Sequence, residues 1–152
     1  MSTPQEQLRL LRGKTHVETV YLTLLDQTLA RNLSWDKFLE LFAYYVYRSF
    51  ILPLIIRDSS GERERMFIIY LRRACEKILG DKSEFCPDFE SVRGDPYTIC
   101  IQELSDPEKL KQLGYTPQDI RERRAYADVQ HICREIVFQA SMALLIDLKM
   151  IS

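Results

Sequence analysis

Glycine is scarce in this chain, five in 152 residues, and the scarcity excludes a good deal. There is no G-x-G-x-x-G fingerprint, no phosphate loop ending in Gly-Lys-Ser/Thr and no G-x-S-x-G elbow. Nucleotide cradles and nucleophile-elbow hydrolases therefore lose the backbone they depend on. Histidine is rarer still, with only His16 and His131. The four cysteines, Cys75, Cys86, Cys100 and Cys133, include no C-x-x-C pair, which removes the usual zinc and dithiol spacings. With no signal-peptide pattern either, the expectation is reduced thiols and a cytoplasmic protein. No apolar run reaches the roughly 20 residues of a membrane helix. The longest candidate, Leu41 to Ile56, is interrupted by Arg48 and is expected to be a core helix, so no membrane association is expected. Internal repeats and low-complexity tracts are absent as well.

What the chain does contain is helical periodicity. Its length fits one domain, residues 1–152, and its hydrophobic fraction of 46% suffices for a core without staples. The pattern predicts an all-α helical bundle of about five to six helices with one long irregular acidic loop, 81–105. Thr3-Pro4-Gln5-Glu6 opens a short helix to Arg12, and Thr15 with Glu18 opens a second that ends near Asn32. Ser34 caps a third, whose seam is read as Trp35, Phe38, Phe42, Tyr45, Ser49, Leu52 and Ile56. Pro53 is expected to kink or break it. Asp58 to Gly61 reads as a turn, with Ser59 and Glu62 as a capping box. Glu62 to Leu79 forms the next helix, with Phe67, Leu71, Cys75 and Ile78 inward and Gly80 as its stop. Within 81–105 only Tyr97 to Ile101 has local character, read as extended. Asp106-Pro107 starts a short helix closed by Gly114, and Thr116-Pro117 starts the last one. The second half of that last helix, Ile136 to Leu148, is apolar on nearly every side, so it is buried among neighbours or lies in a subunit interface. The chain begins and ends close to expected helices, as a domain embedded in something larger would.

Few constellations carry chemistry. Asp128, His131 and Glu135 share a helical face and make half of a di-iron carboxylate site, but the second acid-x-x-His pair is missing. His131 and Cys133 stand two apart on a helix and do not face each other. The expectation is no catalytic site, no metal, no cofactor and no small-molecule substrate; a helical-bundle metal enzyme is the remote alternative. Asp147 and Arg48, each lodged in an apolar stretch, are expected to pair as a buried structural couple.

Charge is more informative in its distribution than in its sum of −1. Residues 1–80 hold twelve Lys and Arg against nine Asp and Glu, whereas 81–152 hold nine against thirteen. Arginines outnumber lysines by fourteen to seven and fall in clusters: Arg63, Arg65, Arg72 and Arg73 with Lys77, and then Arg121, Arg123 and Arg124. The planar guanidinium suits bidentate phosphate recognition. Two arginine-rich helix starts together would line a groove for a phosphate backbone. The bland reading is a pair of solvated faces balanced by Glu62, Glu64, Glu76, Asp119 and Glu122. Tyr44 and Tyr47 are read as exposed beside Lys37 and Glu40, able to stack bases or anchor a protein partner.

Size, the all-helical pattern and the arginines at 63, 65, 72, 73, 121, 123 and 124 resemble the small helical subunit of multisubunit CRISPR effector complexes. That resemblance implies a non-catalytic ribonucleoprotein subunit in antiviral defence, holding RNA or DNA backbone through basic residues beside other protein subunits. The alternative expectation is a protein-only adaptor that docks through its apolar C-terminal helix and its acidic loop.

Overall fold

The computed structural model describes residues 31–32, 34–89 and 95–150. The two helices expected before Arg31 lie outside the described residues. Arg31 and Asn32 form a turn, and Asn32 adopts φ 56°, a left-handed conformation asparagine tolerates.

Helix α1 spans Trp35–Val46. Ser34 caps it as expected, its hydroxyl accepting the Lys37 amide at 3.1 Å. A π-helical turn, Tyr47–Ile51, follows, and α2, Leu52–Arg57, continues the same helix. Pro53 neither stops nor ends it. The Leu52 amide reaches back five residues to the Tyr47 carbonyl, and this wider turn sits where the proline ring would meet the backbone of an ordinary helix. The extra residue also rotates the inward face. Phe38, Phe42 and Val46 are buried before the turn; Tyr47, Ile51 and Ile55 are buried after it. The expected seam through Tyr45, Ser49, Leu52 and Ile56 is thus out of phase, and Tyr45 and Ile56 are exposed. By length and composition this helix, Trp35–Arg57, is the one among the described residues that qualifies to cross a membrane; its inward face packs on the core.

The turn at Asp58 to Gly61 is real, but Ser59 does not build its cap. The Asp58 carboxylate accepts the Arg63 amide at 2.9 Å and the Ser60 hydroxyl at 2.7 Å, and the Ser60 hydroxyl accepts from the Glu62 amide. Helix α3 then runs Glu62–Leu79, burying Phe67, Leu71, Ala74 and Cys75, and stops at Gly80 with φ 58°. A 3-10 segment, Gly80–Phe85, leads to Cys86.

Among its described residues, the long loop expected over 81–105 is largely helical. Beyond the 3-10 segment, α4 covers Pro96–Leu104, including the stretch read as extended. Asp95 caps it, accepting the Tyr97 amide and the Thr98 hydroxyl, both at 3.0 Å. Cys100 and Leu104, one turn apart, are buried. β-Branched residues raise strand propensity only weakly, and burial of one helical face overrides it here. Helix α5, Pro107–Gln112, closes at Gly114 as expected. Thr116 forms a reciprocal capping box with Asp119, but it opens only α6, Pro117–Arg121. Arg123, at φ 63°, breaks the chain direction, and α7 runs Arg124–Asp147.

Helix α7 is the central element. It packs most extensively on α3 and also meets α1 and α4. Ile136, Val137, Phe138, Ala140, Ser141, Met142, Leu144 and Leu145 are buried within the chain itself, so its apolar half is core. Aromatics link the layers: Trp35 stacks on Phe38, Phe42 meets Phe138 edge-on at 5.7 Å, and Tyr47 stacks on Phe67 at 5.9 Å. The result is an all-α bundle, with no strand among the described residues.

Candidate nucleic-acid interface

The outward face of α3 follows from its inward one. With Phe67, Leu71 and Cys75 committed to the core, Arg65, Ile69, Arg72, Arg73 and Lys77 project to solvent. Arg63 is half-buried at the border. A rise of 1.5 Å per residue sets Arg72 about 10 Å beyond Arg65, and Lys77 about 18 Å beyond it. Glu62 and Glu76 are exposed on the same face and Asp88 stands beside Arg72, leaving Arg65, Arg72, Arg73 and Lys77 in excess by one charge. Arg65 donates to the Ser60 carbonyl at 3.4 Å, which leans it toward the turn. Arg72 pairs with Asp88 at 3.4 Å, with both side chains half exposed. The Arg73 guanidinium lies 6.0 Å from the Tyr70 ring. Arg65, Ile68, Ile69 and Arg72 line a shallow open groove along the helix.

The second cluster is tied more firmly to its own acids. Arg124 bonds Asp119 at 3.1 Å and also Glu122. The backbone amide and hydroxyl of Thr116, followed by Arg124, hold the Asp119 carboxyl below its ordinary range. Arg123 lies over the Tyr126 ring at 4.8 Å. Arg121 is exposed.

The two arginine-rich helix starts do not come together. Leu148, just past the end of α7, lines a pocket with Arg57 of α2 and with Glu62, Arg63 and Met66 at the start of α3, so α3 and α7 run antiparallel. Arg63 and Arg65 therefore lie at one end of the pair, and Arg121, Arg123 and Arg124 at the other.

The remaining candidates separate in the same way. Asp128 and His131 are exposed; Asp128 takes a hydrogen bond from the Tyr115 hydroxyl, and the imidazole Nδ1 contacts the Arg134 guanidinium. Among the described residues no three His, Cys, Asp or Glu side chains converge as a metal site would require. Arg48 and Asp147 are both exposed, so the expected buried pair does not form; Arg48 instead lies 5.8 Å from the Tyr44 ring. Tyr44 is exposed as expected, whereas Tyr47, the first residue of the π turn, is buried.

The buried charge belongs to Arg134, only 8% exposed. Its guanidinium donates to the Asp36 carbonyl at 3.1 Å and lies 3.7 Å from Glu135, while its Nε has no partner. Spacing would have found it: Arg134 stands four residues before Phe138 and seven before Ser141, on the buried stripe. Beside it, Glu40, Tyr44, Tyr47, Asp95, Tyr97 and Arg134 contribute to a mainly apolar cavity of about 240 Å³.

Comparison of the chain with protein-family models, with curated proteins and with solved structures finds no match.

Proposed function

We propose that this protein is a non-catalytic helical subunit of a larger assembly that holds nucleic-acid backbone through the outward face of α3, in the manner of a small subunit of a CRISPR ribonucleoprotein effector. The observation that carries the proposal is the row Arg65, Arg72, Arg73 and Lys77, exposed together around a half-exposed Ile69. Four cations over about 18 Å match the spacing of several successive phosphates, and guanidinium forks bind phosphate oxygens bidentately. Arg121 and Arg123 form a second contact region beside the start of α7, with Arg124 already engaged by Asp119 and Glu122. Cytoplasmic location and protein neighbours belong to the same reading.

The adaptor alternative has less surface to work with, because the apolar half of α7 is spent within the chain's own core. Fluorescence anisotropy with labelled single- and double-stranded oligonucleotides at low salt decides between the two. The expected result is binding that weakens about tenfold in the double variant Arg72→Glu, Arg73→Glu, but less than about threefold in Arg121→Glu. A wild-type protein that retains neither oligonucleotide at low salt overturns the reading and leaves the adaptor.

A further inference from the structure

Three elements meet at a cavity that the nucleic-acid reading leaves unused. Its walls come from α1 with the π turn, from the start of α4 and from the middle of α7, and its volume is about 240 Å³. Most of the lining is apolar or aromatic, with Leu41, Tyr44 and Tyr47 on one side and Tyr97 and Val137 on the others. Three charged side chains complete it: Glu40, Asp95 and Arg134. Glu40 and Tyr44 are exposed and stand at its solvent side. Drug-sized ligands occupy pockets of roughly 300–1,000 Å³, so this one suits a smaller molecule.

The three charges are not equally served by the chain. Arg134 is nine-tenths buried, and its Nε is the one buried side-chain polar atom among the described residues that has no hydrogen-bond partner. A buried guanidinium in that condition is costly, and an anion brought against it offsets the cost. Glu40 is half exposed and holds Lys37 at 3.3 Å, a surface pair that yields readily to another cation. Asp95 spends one oxygen on the Tyr97 amide and the other on the Thr98 hydroxyl, which leaves each oxygen a second lone pair. Both carboxylates act on the tyrosines of the cavity. After burial, the charge of Asp95 is the next cause that raises the Tyr47 hydroxyl, and the charge of Glu40 is the next that raises Tyr97.

We propose that this cavity binds a small zwitterion with an apolar body, namely an apolar α-amino acid of the size of leucine or phenylalanine. The ligand carboxylate meets the Arg134 guanidinium, its ammonium meets Glu40 and Asp95, and its side chain packs among Leu41, Val137 and the tyrosines. The charges on the walls select this class. A simple organic anion satisfies Arg134 but faces two carboxylates. A simple cation satisfies those and leaves the buried guanidinium as it was. A ligand that carries both charges serves all three groups.

Titration calorimetry of the full chain with L-leucine and with L-phenylalanine, up to millimolar ligand, tests the proposal. The expected result is saturable one-to-one binding of at least one of them. For that amino acid, the analogue without the ammonium and the analogue without the carboxylate should each bind weaker by about tenfold or more. Arg134→Met should weaken the amino acid about tenfold and leave the decarboxylated amine unchanged. Glu40→Gln should weaken the amino acid a few-fold without weakening the acid analogue. Should Arg134→Met fail to fold, the analogues on the wild-type chain still decide. No saturable binding of either amino acid, an analogue that binds as tightly as its parent, or an affinity untouched by Arg134→Met overturns the proposal.

Discussion

Arg134 is the residue at which the folding balance is most exposed to a single change. A guanidinium taken out of water must recover its solvation from partners. Here it has the Asp36 carbonyl, the His131 ring and the nearby Glu135 and Asp36 carboxylates, but Asp36 is largely in water and Nε is unserved. Arg134→Ala removes both the charge and the packed stem and should cost about 2 kcal/mol, whereas Arg134→Met keeps the stem, deletes the orphan donor and should cost under about 1 kcal/mol. Urea midpoints measure both; equal losses would show that the charge itself matters more than the stem. Tyr115 gives a prediction in pH. Burial, followed by the charge and hydrogen bond of Asp128, pushes its hydroxyl up to about 12. Because the folded value is raised above the unfolded one, the associated stability is complete below about pH 10 and is lost as pH rises through 12. Tyr47 and Tyr97 are raised too and add losses of the same sign. The difference between wild type and Tyr115→Phe isolates Tyr115, and it should shrink over that window. A difference that is flat across it contradicts the Asp128 contact.

At the scale of the element, legibility followed locality. Ser34, the span 62–79 with Gly80, and the Asp106 to Gly114 unit were readable because a cap, a periodic face and a stop lie within a few residues of one another. The π turn was not, since its phase shift is defined only against the core it faces. The break at Arg123 was not either, because a non-glycine left-handed residue leaves no signature in sequence. Helix α4 is the instructive failure. Its residues Tyr97 to Ile101 favour a strand by propensity, and what holds them helical is the Asp95 cap and the burial of Cys100 and Leu104 against the bundle. Asp95→Ala is expected to cost about 1 kcal/mol, and Asp95→Asn only a few tenths, since asparagine caps nearly as well. Thermal unfolding of both variants measures this; equal losses would shift the credit from the hydrogen bonds to the charge of Asp95.

For the whole molecule, the candidate site was legible as a list of residues but not as a surface. Arg63 to Lys77 and Arg121 to Arg124 were both evident as clusters, while the antiparallel packing that parts the two helix starts is a tertiary fact. Helix α7 is 24 residues long, about 36 Å, close to one turn of B-form DNA. Arg63 and Arg65 therefore lie about one duplex turn from Arg121 and Arg123, and the α3 row is the contact proposed for a short ligand. Its four cations fix what salt should do. Each neutralised duplex phosphate contributes about −0.9 to the slope of log affinity against log salt, so the slope should be roughly −3.6 on duplex and roughly −2.8 on single strand. The row spans about 18 Å, so a duplex of about twelve base pairs should bind as tightly per site as one twice as long. Arg72→Ala and Arg73→Ala should each reduce the slope by about one unit without shifting the thermal midpoint, as expected of exposed side chains. A slope near −6 that appears only on the longer duplex would instead mean that both ends of the bundle grip one bent strand, and the single-face interface would have to be given up.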